Sequence, residues 1–182
     1  MKINKLHLTN FKSITEAELI LNGKSTVLFG INGTGKSTIL RSVNLLYANI
    51  INQIVNRQEL RQKYALTLED IQYGKSNTRI EAQFCINGKE VVPYWRTMVR
   101  KTGKRAHNLD NLKMIADSVQ AQYISDEYQG NIPIFVNYGT NRLVLDIPLR
   151  IRTHHNFDIY SAYEKAIENR IDFRTFFEWF RN

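Results

Sequence analysis

Cysteine, long apolar runs and acidic charge are all scarce in these 182 residues, and each scarcity closes off a class of protein. The single cysteine, Cys85, has no partner in the chain, so a disulfide-stapled fold is excluded and a core of ordinary side chains must hold the structure. Cys85 lies in the strand-like run Phe84-Cys85-Ile86, which suits a buried, inert thiol rather than a nucleophile. No apolar stretch approaches the length of a membrane span. Met1-Lys2-Ile3-Asn4-Lys5 leads into alternation and not into a signal-peptide core, so the expected setting is the cytoplasm, without a membrane partner. Internal repeats, low-complexity tracts and flexible linkers are also missing. The shortage of acid leaves 17 Asp and Glu against 25 Lys and Arg, a formal charge of +8, which favours polyanionic partners.

What is present begins with Gly30-Ile31-Asn32-Gly33-Thr34-Gly35-Lys36-Ser37-Thr38, which fits G-x-x-x-x-G-K-[ST], the phosphate-binding loop. A triphosphate needs many donors converging on a small volume, and glycines let main-chain N–H groups wrap closely enough to supply them. Lys36 is placed to reach the outer phosphates, Ser37 to put its hydroxyl on Mg2+, and the following helix to aim its positive end at the anion. The motif needs a strand before it and a helix after it. Ser25-Thr26-Val27-Leu28-Phe29 reads as the strand, and Ile39, Leu40, Val43, Leu46, Tyr47, Ile50, Ile51 and Ile54 recur at helical spacing to about Val55.

Around this loop, Lys2 to Leu8 reads as a first strand, Phe11-Lys12-Ser13-Ile14 as a turn and Glu16 to Leu21 as a second strand. Thr67-Leu68-Glu69-Asp70-Ile71 resembles a short capped helix. Arg79 to Ile86 and Glu90 to Arg100 form a hairpin about Asn87-Gly88, the preferred pair for a two-residue turn. At its end Arg96, Arg100, Lys101, Lys104 and Arg105 gather behind Tyr94 and Trp95, either a solvated basic turn or a nucleic-acid contact. Leu112, Ile115, Ala116 and Val119 mark a helix, and Ile132 to Tyr138 a buried-type strand. Asp172 caps a last helix, Phe173 to Phe180, whose aromatic stripe suits packing.

The start Leu6-His7-Leu8-Thr9-Asn10-Phe11-Lys12-Ser13-Ile14, followed by the Gly30 to Thr38 loop, resembles the RecF/SMC/OLD group of ABC-type ATPases. Tyr138-Gly139-Thr140-Asn141-Arg142 and Phe173-Arg174-Thr175-Phe176-Phe177-Glu178-Trp179-Phe180 look like a bacterial RecF-like subfamily that includes PtuA-like ATPases of anti-phage defence. The resemblance implies an α/β P-loop NTPase of ABC-head type: a mixed sheet with an antiparallel β subdomain and an incomplete second lobe. Its parts would be 1–63 (strand, turn, strand, loop and helix), 78–105 (hairpin) and 110–182 (helix, strand and aromatic helix). It implies ATP and Mg2+ as cofactors, bound by Gly30, Asn32, Gly33, Thr34, Gly35, Lys36, Ser37 and Thr38, with Lys12 near the phosphates or ribose. It also implies an ATP-dependent head-to-head dimer or a complementing C-terminal lobe, acting on DNA or a nuclease partner.

The family's remaining parts are not recognisable. Neither a Ser- and Gly-rich signature segment nor a distal His can be identified, and Tyr123-Ile124-Ser125-Asp126-Glu127 offers an Asp-Glu pair without the apolar strand of a Walker B site. Asp126 and Glu127 are expected in an exposed loop or helix cap, and neither Tyr138 nor Asn141 can be assigned as the magnesium-contacting Gln position. Hydrolysis needs a positioned water and stabilised charge on the transferred phosphoryl group. The expectation is therefore an N-terminal lobe of a longer protein that binds Mg-ATP and hydrolyses it weakly on its own, in DNA repair or phage defence, with no catalytic residue assigned. The alternative is a nucleotide-regulated interaction module without ATPase activity. A small-molecule kinase is disfavoured because the hairpin and the N-terminal turn have no role there.

Overall fold

The computed structural model describes residues 1–55, 64–86, 88, 90–125, 133–138 and 163. The chain divides into two compact units, Met1–Pro133 and Ile134–Asn182. The first holds strands β1 (Lys2–Phe11) and β2 (Ile14–Ile20), helix α1 (Lys36–Val55), a 3-10 turn at Leu68–Asp70, strands β3 (Asn77–Ile86), β4 (Glu90–Val99) and β5 (Arg105–His107), and helix α2 (Leu109–Ser125). In the second, Phe135 and Tyr163 form a tilted aromatic pair with ring centroids 5.5 Å apart.

The strands make one antiparallel sheet in the order β2-β1-β3-β4-β5. Side chains alternate faces along a strand, so cross-strand register decides what shares a face. Leu6 opposes Ala82 and Leu8 opposes Ile80; Ile80, Ala82 and Phe84 in turn oppose Arg96, Tyr94 and Val92. All of these are buried, and they form the face that receives α1 and α2. On α1 the matching stripe is Leu45, Leu46, Ile50, Ile51 and Ile54, all under 5% exposed. Tyr47 joins the layers with an edge-on contact to Phe84, centroids 5.6 Å apart. Burial of a dozen such side chains, each worth about 1.5–3 kcal/mol, is what holds sheet and helices together.

Three expectations are corrected. The Ser25 to Phe29 segment is not a strand: it has no regular pairing, and Val27 and Phe29 are 82% and 92% exposed. Pro133 to Tyr138 likewise has no strand pairing, and Ile134, Val136 and Tyr138 are exposed rather than buried. In both cases the residues have the β preference, but a strand exists only against a neighbour, and among the described residues none pairs with either segment. The hairpin register Ile86 to Glu90 leaves three loop residues, not two, with Gly88 at φ +75° taking the left-handed conformation. The Phe173 to Phe180 helix and the Asp126-Glu127 pair lie outside the described residues.

Candidate nucleotide-binding site

Helix α1 begins at Lys36, where Gly35 accepts from the Ile39 amide at 2.9 Å. The first amides of a helix have no intrahelical acceptor, and no acidic side chain occupies the first turn of α1 to neutralise its positive end. Ahead of it Gly30, Gly33 and Gly35 have φ of +148°, +88° and +89°, backbone that a side chain would strain. A Cβ on Gly35 would also meet Ile14 Cδ1 at 3.5 Å, so the loop lies against the start of β2. The Lys36 ammonium folds over the loop and donates to the Gly30 and Ile31 carbonyls at 2.8 and 2.6 Å. Thr34 donates its hydroxyl to the Ile31 carbonyl at 2.9 Å and is 3.5 Å from Lys36 Nζ. Asn32, Gly33, Thr34 and Ser37 are exposed, Lys36 and Thr38 half-buried.

Lys12 is placed by a different device. Its backbone, like that of Asn10, has positive φ (+52° and +50°), unusual for a non-glycine residue. The turn is pinned from the other side: Lys12 N–H donates to the Asp70 carbonyl, and Gln72 N–H to the Asn10 carbonyl, both at 2.9 Å. The Lys12 ammonium lies 3.5 Å from Asp70 Oδ1. Ile14, two residues on, touches the loop at Gly35, while the Lys12 charge is directed to a carboxylate.

Asp70 is the hub that sequence reading overlooked. Its side chain is fully buried, and Arg41 grips it through two hydrogen bonds, Nε to Oδ1 at 3.0 Å and Nη2 to Oδ2 at 3.2 Å. The Thr67 amide donates to Oδ2 at 3.0 Å, completing a capping box. Burial pushes the Asp70 pKa up, but the bonds from Arg41 and Thr67 and the charges of Arg41 and Lys12 outweigh it and hold the carboxyl below its ordinary value. The Thr67 to Asp70 cap was readable in the sequence. The Arg41 partnership was not, because 29 residues separate the pair.

The five-residue basic cluster does not form one surface. Alternation along β4 turns Tyr94 and Arg96 inward and Trp95 outward, where Arg79 stacks on its ring 4.5 Å from the centroid. Arg96 is 6% exposed and donates Nη1 to the carbonyls of Leu45 and Tyr64, so it is not a surface contact. Arg100 closes the base of its turn on the carbonyls of Lys75 and Ile71, each at 2.9 Å, and Arg105 donates Nε to the Leu66 carbonyl at 2.7 Å. Lys101 and Lys104 stand exposed on the turn. Among the described residues no group of three His, Cys, Asp or Glu could hold a metal, and no helix is long and apolar enough to cross a membrane.

A helix and an antiparallel sheet sharing one core, with a glycine-rich loop at the helix start, define a mixed α/β nucleotide-handling domain. The AAA ATPase domain model matches residues 1–175, and the chain belongs to that family. It is 22% identical over 201 residues to the Retron Ec83 probable ATPase of Escherichia coli, covering 100% of this chain and 34% of that protein. It is 24% identical over 132 residues to the DNA replication and repair protein RecF of Shewanella loihica, covering 70% of this chain and 33% of RecF. The chain is thus a RecF/SMC/OLD-like ATPase domain that spans about a third of the length of these relatives.

Proposed function

We propose that this chain is the Mg-ATP-binding lobe of a RecF-like ATPase, completed by a second lobe or a second head. Gly30, Asn32, Gly33, Thr34, Gly35, Lys36, Ser37 and Thr38 are the nucleotide site. The residues present fit the ligand. The loop amides and the first amides of α1 suit phosphate oxygens, and Lys36 exchanges loop carbonyls for the outer phosphates. The Ser37 hydroxyl is available to Mg2+, which keeps most of its coordination with water and phosphate and needs no protein cage. Magnesium, when bound, neutralises charge on the β and γ phosphates. Lys12, one turn from Gly35 through Ile14, transfers its ammonium from Asp70 to the nucleotide, while Arg41 keeps Asp70 compensated.

The observation that carries the two-lobe reading is the exposure of Val27 and Phe29 immediately before the loop. Among the described residues, the loop that must hold a triphosphate rests on helix α1 and on Ile14 of β2, and no strand pairs with the segment that leads into it. Its approach segment offers unpaired backbone and apolar side chains to a strand that another lobe would supply. Hydrolysis then requires groups from that lobe, and ATP-dependent association is the means by which DNA or a nuclease partner is moved.

Equilibrium binding and turnover, measured on this chain and on the assembled full-length protein, test the reading. The expected result is Mg-ATP binding by both, lost in Lys36→Ala, with turnover at least tenfold higher in the assembled protein. Full turnover by the chain alone would refute the two-lobe reading, and binding without turnover in either would favour the regulatory module. Retained binding in Lys36→Ala would remove the loop from the site.

A further inference from the structure

The opposite half of α1 borders a second site of different construction. A cavity of about 360 Å³ opens between α1, the Ala65-Leu66 segment, β4, β5 and the start of α2. Its polar lining among the described residues is Asn49 and Asn52 from α1, Arg96 and Thr97 from β4, and Arg105 and His107 from β5. The β4–β5 register pairs Arg96 with His107 and Met98 with Arg105, which puts both arginines and the histidine on one face of the sheet, with Arg96 buried and Arg105 and His107 exposed. Asn49 lies thirteen residues beyond Lys36, about 20 Å along the helix axis, so this cavity is separate from the glycine loop.

Its electrostatics are one-sided. Among the described residues no carboxylate lines it. Arg96 is buried, yet only Nη1 is used, on the carbonyls of Leu45 and Tyr64; Nε and Nη2 have no hydrogen-bond partner among the described residues. Arg105 uses Nε on the Leu66 carbonyl, leaving both terminal nitrogens. Burial lowers the Arg96 pKa, as does the neighbouring Arg105 charge, against opposing effects of Tyr94 and Asp70. Asp70, the carboxylate that Arg96 senses, is already engaged by Arg41 and Lys12. Two guanidiniums border the recess, and Arg96 is buried with no carboxylate bonded to it among the described residues, an arrangement that is costly unless an anion joins them.

We infer that this cavity is a second anion site, built to take the phosphate group of a small phosphorylated molecule between Arg96 and Arg105. Guanidinium forks match phosphate oxygens in pairs, which a lysine recess would not do. The volume lies at the lower end of the range for small-molecule sites, which suits a mononucleotide or a free phosphate rather than a duplex. Helix α1 connects the two sites directly, so occupancy of one is positioned to bias the other.

The test uses Lys36→Ala in the full-length protein to silence the glycine loop, with pyrophosphate and AMP as probes in low-salt calorimetry. One saturable site per chain is expected, with Kd below about 1 mM. Adding Arg105→Gln should weaken it by about tenfold, while Arg105→Gln with Lys36 intact leaves Mg-ATP binding at the loop within twofold. Tighter AMP than pyrophosphate identifies a nucleotide ligand; the reverse order identifies inorganic phosphate. Absence of saturable binding in Lys36→Ala, or binding that Arg105→Gln leaves unchanged, overturns the inference. The glycine-loop reading survives either outcome, because it is judged with Lys36 present.

Discussion

The two ends of helix α1 present hydrogen-bond donors by opposite means. At the N-terminal end the donors are backbone amides, presented by glycines in left-handed conformation and exposed to solvent, with an apolar approach segment left uncovered. Along the second half the donors are side chains carried on two strands and a helix, with Arg96 buried and Arg105 and His107 exposed on β5. Backbone donors require particular φ angles, and those leave a residue-type signature in consecutive positions. Side-chain donors require only that distant segments meet, and they leave none. The approach segment to the loop is exposed, whereas Arg96 at the other end is buried within the unit Met1–Pro133.

The largest expected effect tests the packed half. Phe84 is fully buried, and Phe84→Ala should cost about 3–4 kcal/mol by chemical denaturation. Phe29→Ala should stay within about 0.5 kcal/mol, because that ring is 92% exposed. Equal costs would break the contrast between a covered and an uncovered end. On the ligand side, Lys36→Ala should reduce Mg-ATP affinity by roughly a hundredfold, since it removes a charged contact to the phosphates. Its effect on the melting temperature should be small, as the side chain contacts only loop carbonyls and the Thr34 hydroxyl.

Asp70→Asn comes next, at about 2 kcal/mol, because Arg41 and Lys12 keep partial solvent contact and are not left fully buried. Its sign with pH is defined. The folded pKa is depressed, so the stabilisation is fully present above the ordinary carboxylate pKa of about 4. It is lost as pH falls through the lower folded value. An acid unfolding limb that is unchanged in Asp70→Asn would show that the hub is not a stabilising one. The smallest effect belongs to the basic turn. Lys101→Glu with Lys104→Glu should change stability by less than about 0.5 kcal/mol. If the turn meets DNA, it should weaken binding evenly across sequences and flatten the salt dependence in a mobility-shift assay, because phosphate contacts carry no base information.

What was legible depended on the range over which each residue's partner lies. The extent of α1, the first two strands, the hairpin and the Thr67 to Asp70 cap follow from periodicity and local chemistry, and the described structure has them within a few residues. Ser25 to Phe29 has the same local preference and is not a strand, because a strand also needs a neighbour. The members of the basic cluster adjoin in sequence but not in environment: alternation along β4 sends Arg96 to the core, while Lys101 lies exposed in the turn beyond the strand. That division was implicit once Tyr94, Arg96 and Met98 were placed on the same strand as Val92.

By itself the sequence determined the glycine loop, the helix behind it and the excess of positive charge, since each is a property of neighbouring residues. The tertiary structure alone decided where that charge goes. It committed Arg41 and Lys12 to Asp70 and Arg96 to a recess beside Arg105, and left the loop's own approach segment exposed. The physical reason is that a buried charge is governed by the groups that fold around it, and those come from residues that no local pattern connects.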